Sequence, residues 1–180
     1  CDAERSELIE HYGVPAGRVV IVSPGVEHAI FGPGDRRGAR KAIGEYDNVP
    51  LVLFAGRIQA LKGPDVAIRA LALMNEPHAR LLVVGGASGS NGHAHEQEMR
   101  LLADELGLSD RIRFVAPQPH HLLSTFYRAA DVIVVPSRSE SFGLVALEAA
   151  ACGIPVVASA VGGLTSLVDD GVTGILVGSR

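Results

Sequence analysis

Glu140 and Glu148 stand eight residues apart in the stretch 136–155, PSRSESFGLVALEAAACGIP. The stretch follows an apolar run at 131–135 and is expected to open a helix, with Glu140 at its mouth and Glu148 deeper. At about 1.5 Å rise per residue, the two backbones lie roughly 12 Å apart along the helix axis. The two carboxyls of a glycosidase sit roughly 5 to 9.5 Å apart, so this spacing argues against that chemistry. It suits the length of a nucleotide-sugar, with one carboxylate at the sugar hydroxyls and the other at the ribose hydroxyls. Between them, free N–H groups of Ser141, Phe142 and Gly143 at the expected helix start would hold a diphosphate.

Two cations accompany the acids. Arg57 directly follows the apolar run 51–55, and Lys62 stands just before the next expected helix. Arg supplies a bidentate fork and Lys a point charge, and both suit a diphosphate whose negative charge grows as it leaves. The plain alternative is a pair of solvated surface cations. For Glu140 it is an acid placed by the helix dipole. Glu148 lies among Leu144, Val145, Leu147, Ala149 and Ala150, so its helix is largely buried and its carboxylate needs a partner or a ligand.

Other polar clusters fit known chemistry less well. GGASGSNG at 85–92 lacks both the GxGxxG spacing and a Gly-Lys-Ser/Thr end, so it is neither a dinucleotide fingerprint nor a Walker loop. Close backbone approach to a ligand is its alternative to being a plain flexible loop. His93, His95, His120 and His121 have no HExxH or Cys partner, and PSRSES is not a G-x-S-x-G elbow.

The elements that must carry these residues alternate. Strands are expected at 18–22, 51–55, 80–84, 112–115, 132–135, 156–159 and 174–177. Helices are expected at 2–11 (Leu8 and Ile9 inward), 37–43, 64–74, 95–106, 121–129, from the 136–143 motif to Gly153, and 164–168. This alternation requires right-handed crossovers and an α/β, doubly wound parallel sheet, Rossmann-like, with helices on both faces. Ligands bind such sheets at the carboxyl ends of the strands, where Arg57, Lys62, Gly85, Gly86, 116–118 and 137–143 all fall. A chain of 180 residues that is 47% apolar and 4% aromatic supports one substantial core. The formal charge of −4 leaves no basic surplus for nucleic acid, and no secretory signal or membrane span is visible. Cys1 and Cys152 carry no metal spacing and read as reduced thiols of a cytoplasmic protein.

The segments FAGRIQALKGPD (54–65), SESFGLVALEAAACGIPVVA (139–158) and VGGL (161–164) together resemble the C-terminal, donor-binding half of the retaining GT-B glycosyltransferases of family four. The wording QALKGPD, with GGASGSNG, is most similar to the subgroup that glycosylates inositol phosphate in mycothiol biosynthesis. The resemblance implies that Arg57 and Lys62 bind the diphosphate, Glu140 the donor sugar and Glu148 the ribose. The backbone near Gln118, where the subgroup often has Arg, would meet uracil. Ser141, Phe142, Gly143 and Leu144 complete the expected donor site, and Arg57, Lys62 and Glu140 are the expected catalytic set.

The implied reaction transfers a sugar from a UDP-sugar, with UDP-N-acetylglucosamine the best match, to a hydroxyl acceptor, with inositol phosphate the best match. No cofactor is required by the residues; the subgroup allows a magnesium ion on the backbone carbonyls of Tyr127, Arg128 and Ala130. Residues 1–22 would end an acceptor-domain or interdomain segment and 23–180 would form the donor domain, truncated at its C-terminus. The acceptor would bind mainly to a preceding domain, leaving this portion inactive alone. A homodimer is left open. Rival readings are a sucrose- or sucrose-phosphate-synthase-like enzyme, a GDP-mannose-dependent transferase, a non-catalytic nucleotide-sugar-binding module, and a phosphosugar epimerase on a similar fold.

Overall fold

The structure, a computed structural model, describes residues 2–87 and 92–178. Its strands are β1 (Leu51–Ala55), β2 (Arg80–Val84), β3 (Ile112–Val115), β4 (Val132–Val135), β5 (Val156–Ser159) and β6 (Gly174–Val177). They form one all-parallel sheet in the order β3-β2-β1-β4-β5-β6. The helices are α1 (Asp2–Glu10), α2 (Arg36–Ile43), α3 (Pro64–Leu73), α4 (Gly92–Glu105), α5 (His120–Ala129), α6 (Leu144–Ala151) and α7 (Leu164–Leu167). Among the described residues, no helix is long and apolar enough to cross a membrane.

Each central strand is apolar along nearly its whole length because both faces of the sheet are covered. Successive side chains point to opposite faces. Leu51 and Leu53 of β1, with Leu82 and Val84 of β2, enter one core beside Phe126 and Tyr127 of α5 and Ala146 and Ala149 of α6. Val52 and Phe54, with Leu81 and Val83, enter the other beside Ile68 and Leu71 of α3 and Met99 and Leu102 of α4.

At the amino edge of the sheet, one buried guanidinium gathers the chain. Arg40 is 1% exposed. Its Nε donates to the Ala129 carbonyl at 2.8 Å, and its Nη1 donates to the carbonyls of Tyr46, Asp47 and Val49 at 2.8–2.9 Å. Its Nη2 donates to Asp131 Oδ2 at 2.6 Å, and the same oxygen accepts the Leu51 N–H at 2.7 Å. This joins α2, the end of α5 and the first residue of β1.

Two expectations fail at the amino terminus. Residues 18–22 are not a strand: Ala16–Arg18 is a 3-10 turn, and Val20 and Val22 are 79% and 83% exposed. A β-prone segment becomes a strand only beside another that takes its hydrogen bonds, and this one joins neither edge of the sheet. Leu8 is exposed rather than inward, although Ile9 is partly covered. Two helices also begin elsewhere. α4 starts at Gly92 instead of residue 95, and α6 starts at Leu144, four residues beyond Glu140. Cys1 and residues 88–91 of the glycine-rich loop lie outside the described residues.

Replacing Arg40 by Met is expected to lower stability by about 3–5 kcal/mol, because four carbonyls and the half-buried Asp131 lose a fully buried donor. Urea unfolding of wild type and variant measures the difference.

Candidate functional site

The strand order reverses between β1 and β4, which is where an open parallel sheet leaves a crevice beyond its carboxyl ends. A cavity of about 460 Å³ lies there, within the size range of small-ligand sites. Its floor is the backbone after β1 and β2, and Arg57, Gln118, His120, Leu144 and Glu148 stand around it. Glycine is required in part of that floor. Gly85 has φ +153°, and a Cβ on it would meet the Gly56 carbonyl oxygen at 1.8 Å. At Gly85 the close approach is of one backbone segment to another, after β2 and after β1.

Lys62 ends a short 3-10 turn after β1, and its Nζ lies 2.6 Å from Glu140 Oε2. The Ser137 hydroxyl donates to the same oxygen at 3.2 Å. Lys62 and Glu140 are both mostly buried and line a recess of about 40 Å³ that shares Ala55, Gly56 and Val145 with the larger cavity. Arg57 is exposed at the cavity and makes no side-chain hydrogen bond or ion pair among the described residues. The two cations thus stand in adjoining hollows, one already partnered and one free.

Glu140 is held by its backbone as well. Its carbonyl accepts the Gly163 N–H at 3.0 Å, and Gly162, at φ +49°, packs so closely that a Cβ would come within 1.9 Å of that oxygen. The later start of α6 moves the free amide donors. Gly143 caps the helix with no side-chain acceptor, and its carbonyl takes the Leu147 N–H at 3.1 Å. The N–H groups of Gly143, Leu144 and Val145 have no acceptor among the described residues. Of these residues, Leu144 and Val145 line the cavity. Ser141 and Phe142 lie in the turn before the helix, and Phe142 faces a different hollow together with Ile21 and Pro24. The helix itself starts later than expected, at Leu144, so Ser141 and Phe142 belong to the turn before it, while Leu144 and Val145 form its first turn. The physical reason is the left-handed bend at Gly143, φ +99°, which delays the first helical turn.

Glu148 is buried within α6 at the cavity wall. Tyr127 Oη donates to its Oε2 at 2.6 Å, and His120 Nε2 lies 2.7 Å from its Oε1. Burial, with the Glu148 charge beside it, pushes the Tyr127 hydroxyl far above the usual phenol range, so it stays a donor. Neither side chain stood out in the sequence as a site residue, since the contacts span 21 and 28 residues. The available signal was the acid on an apolar helix, which demands a donor from a neighbouring element. Gln118 Nε2 donates to the Ala116 carbonyl at 2.8 Å, turning that side chain onto its own loop.

The carbonyls of Tyr127, Arg128 and Ala130 stand at the end of α5. Among the described residues, no group of three or more His, Cys, Asp or Glu could hold a metal. A helix C-terminus carries partial negative charge, and neutral carbonyls are oxygen ligands of the kind magnesium takes, so the donor set fits a cation. Asp131 just beyond donates its N–H to the Leu51 carbonyl at the start of β1, so these carbonyls sit at the amino edge, away from the cavity.

The β1 and β4 loops are latched by a further pair. Arg138 Nη2 lies 2.7 Å from Asp65 Oδ2, and the Arg138 N–H donates to the Leu61 carbonyl at 2.9 Å. Partial burial alone would raise the Asp65 pKa, but the hydrogen bonds and charge of Arg138 outweigh it and hold the carboxyl below its ordinary value.

A doubly wound parallel sheet with a cation-flanked crevice at its switch point is a Rossmann-like α/β architecture with its ligand site in the usual place. Residues 35–180 match the family of glycosyl transferases group 1, and the chain belongs to that family. It is 52% identical over 182 residues to the D-inositol 3-phosphate glycosyltransferase of Kribbella flavida, an alignment covering 98% of this chain and 43% of that protein. The enzyme of the same name from Mycobacterium tuberculosis H37Ra is 52% identical over 176 residues, covering 98% of this chain and 36% of the relative. The chain therefore spans less than half the length of these curated relatives.

Among solved structures, sucrose-phosphate synthase from Thermosynechococcus elongatus superposes with a TM-score of 0.86 at 37% identity, covering 98% of this chain and 44% of that one. The Anabaena protein HepE in complex with UDP and glucose gives 0.89 at 28% identity, covering 98% and 47%.

Asp65→Asn is expected to destabilise the protein at neutral pH by no more than about 1 kcal/mol, since the pair is partly exposed. A carboxyl with a lowered folded pKa stabilises above its unfolded value and loses that contribution as pH falls. The melting temperatures of wild type and variant should therefore converge as pH drops from about 5 toward 2.

Proposed function

We propose that this chain supplies the donor half of a retaining glycosyltransferase. Residues 23–180 bind a UDP-sugar, with UDP-N-acetylglucosamine the best match, and residues 1–22 close an interdomain or acceptor-domain segment. The acceptor is the hydroxyl of an inositol phosphate, carried mainly by a separate domain. The two D-inositol 3-phosphate glycosyltransferases at 52% identity support the acceptor class, and the HepE complex with UDP and glucose supports the donor class.

The observation that carries the reading is the composition of one crevice. Arg57, Leu144 and Val145, the last two with amides that lack an acceptor among the described residues, line the same cavity as Glu148, and the Lys62–Glu140 pair lies in the adjoining recess. A diphosphate laid across the start of α6 meets Arg57, Lys62 and those amides. The ribose then lies toward Glu148, uracil toward the backbone near Gln118, and the sugar toward Glu140. The recess at Glu140 is narrow, so the sugar enters as the ion pair parts and the phosphate replaces Glu140 as the partner of Lys62.

In the reaction, the acceptor hydroxyl oxygen bonds to the anomeric carbon on the face from which UDP departs. The bond between that carbon and the phosphate oxygen breaks, and its electron pair leaves with UDP. The acceptor proton passes to the departing phosphate oxygen. Arg57, Lys62 and the helix-start amides stabilise the charge that develops there. No step is routed through a metal.

The sucrose-phosphate synthase neighbour favours a second reading in the same class, differing in the acceptor and sharing the donor site. Transfer assays with inositol phosphate and with sugar phosphates separate the two.

Calorimetric titration with UDP tests the donor site. Arg57→Ala and Lys62→Ala should each weaken binding by about 1–3 kcal/mol, as for hydrogen bonds to charged groups. Unchanged affinity in both variants removes the diphosphate assignment.

A further inference from the structure

A carboxylate that reads vicinal hydroxyls must be fixed in orientation, because each oxygen has to meet its own donor. Glu148 is fixed from behind. Tyr127 holds Oε2 at 2.6 Å and His120 holds Oε1 at 2.7 Å. A carboxylate oxygen only accepts, so the His120 ring carries its proton on Nε2 in this contact. Each oxygen keeps one further accepting direction after these bonds, and Glu148 borders the cavity.

The two donors are themselves braced. Phe31 is fully buried and packs against both rings, with centroids 4.8 Å from His120 and 5.9 Å from Tyr127. Arg128 pins the backbone on either side of Phe31, donating from Nη2 to the Ile30 carbonyl at 2.8 Å and from Nε to the Gly32 carbonyl at 2.7 Å. Phe31 lies before residue 35, where the family match begins. An element outside that match therefore sets the rings that set the acid.

We propose that His120 and Tyr127 are positioning residues that aim Glu148 at the hydroxyls of a nucleotide ribose, making the cavity selective for a ribonucleotide over its 2′-deoxy form. The inference rests on the reading of Glu148 as the ribose-binding acid. Tyr127 acts from within the core. His120, whose side chain is 63% exposed, acts at the cavity lip and can be replaced without opening the core.

Calorimetry with UDP and with 2′-deoxy-UDP, on wild type and variants, provides the test. Wild type should prefer UDP, and Glu148→Gln should reduce that preference by roughly tenfold, the scale of one hydrogen bond to a charged group. His120→Ala and Tyr127→Phe should each reduce the preference by about threefold to tenfold while changing the affinity for 2′-deoxy-UDP less. His120→Gln, which still offers an N–H, should retain more of the preference than His120→Ala. If both substitutions weaken the two nucleotides by the same factor while Glu148→Gln abolishes the preference, the positioning role is overturned and the donor-site reading stands. If Glu148→Gln leaves the preference unchanged, the ribose assignment fails and this inference fails with it.

Discussion

A sheet with every strand parallel must re-enter each strand from the same edge. The return connections then crowd one edge, while the loops leaving the strands gather at the other. When the strand order doubles back between β1 and β4, the loops leaving these neighbours diverge, and the gap between them cannot be filled by either connection. Everything chemically notable in this molecule follows from that gap. The glycines after β1 and β2 let backbone meet backbone at its floor, and α6 starts at its wall with amide groups unspent. The same topology places the Arg40 cluster at the opposite edge, where it can organise chain ends without intruding on the cavity.

The electrostatics of the crevice are divided. Lys62 and Glu140 neutralise each other in a partly buried recess, whereas Arg57, at the open cavity, has no side-chain partner among the described residues. Glu148 is buried but hydrogen-bonded on both oxygens, which offsets the cost of taking a carboxylate out of water. The proposed donor site is thus an arrangement of satisfied groups with a few donors that lack partners among the described residues, on residues that line the cavity.

Much of this was legible in the residues because the decisive signals are local. Runs such as 51–55 and 80–84 became strands with the expected bounds, and Glu148 amid Leu144, Val145 and Leu147 was rightly read as a buried acid. The errors have physical sources. Residues 18–22 have strand-like side chains, but strand formation also needs an available edge, which no local pattern reports. The start of α6 was misplaced because Gly143 adopts a left-handed conformation, which Gly allows but does not announce. The bonds of the His120 and Tyr127 side chains to Glu148 are not legible in the sequence because they are made between two helices and belong to packing.

The Lys62–Glu140 contact also bears on how the crevice keeps its shape. An unpaired lysine would sample many rotamers, and a ligand arriving there would have to freeze them at an entropic cost. Tethered to a carboxylate at 2.6 Å, the ammonium is already localised, so under the proposed function an incoming phosphate would trade places with an internal rival instead of organising a loose chain. The exchange sacrifices some raw attraction for readiness, and it guards the lysine against casual anions too weak to displace its resident partner.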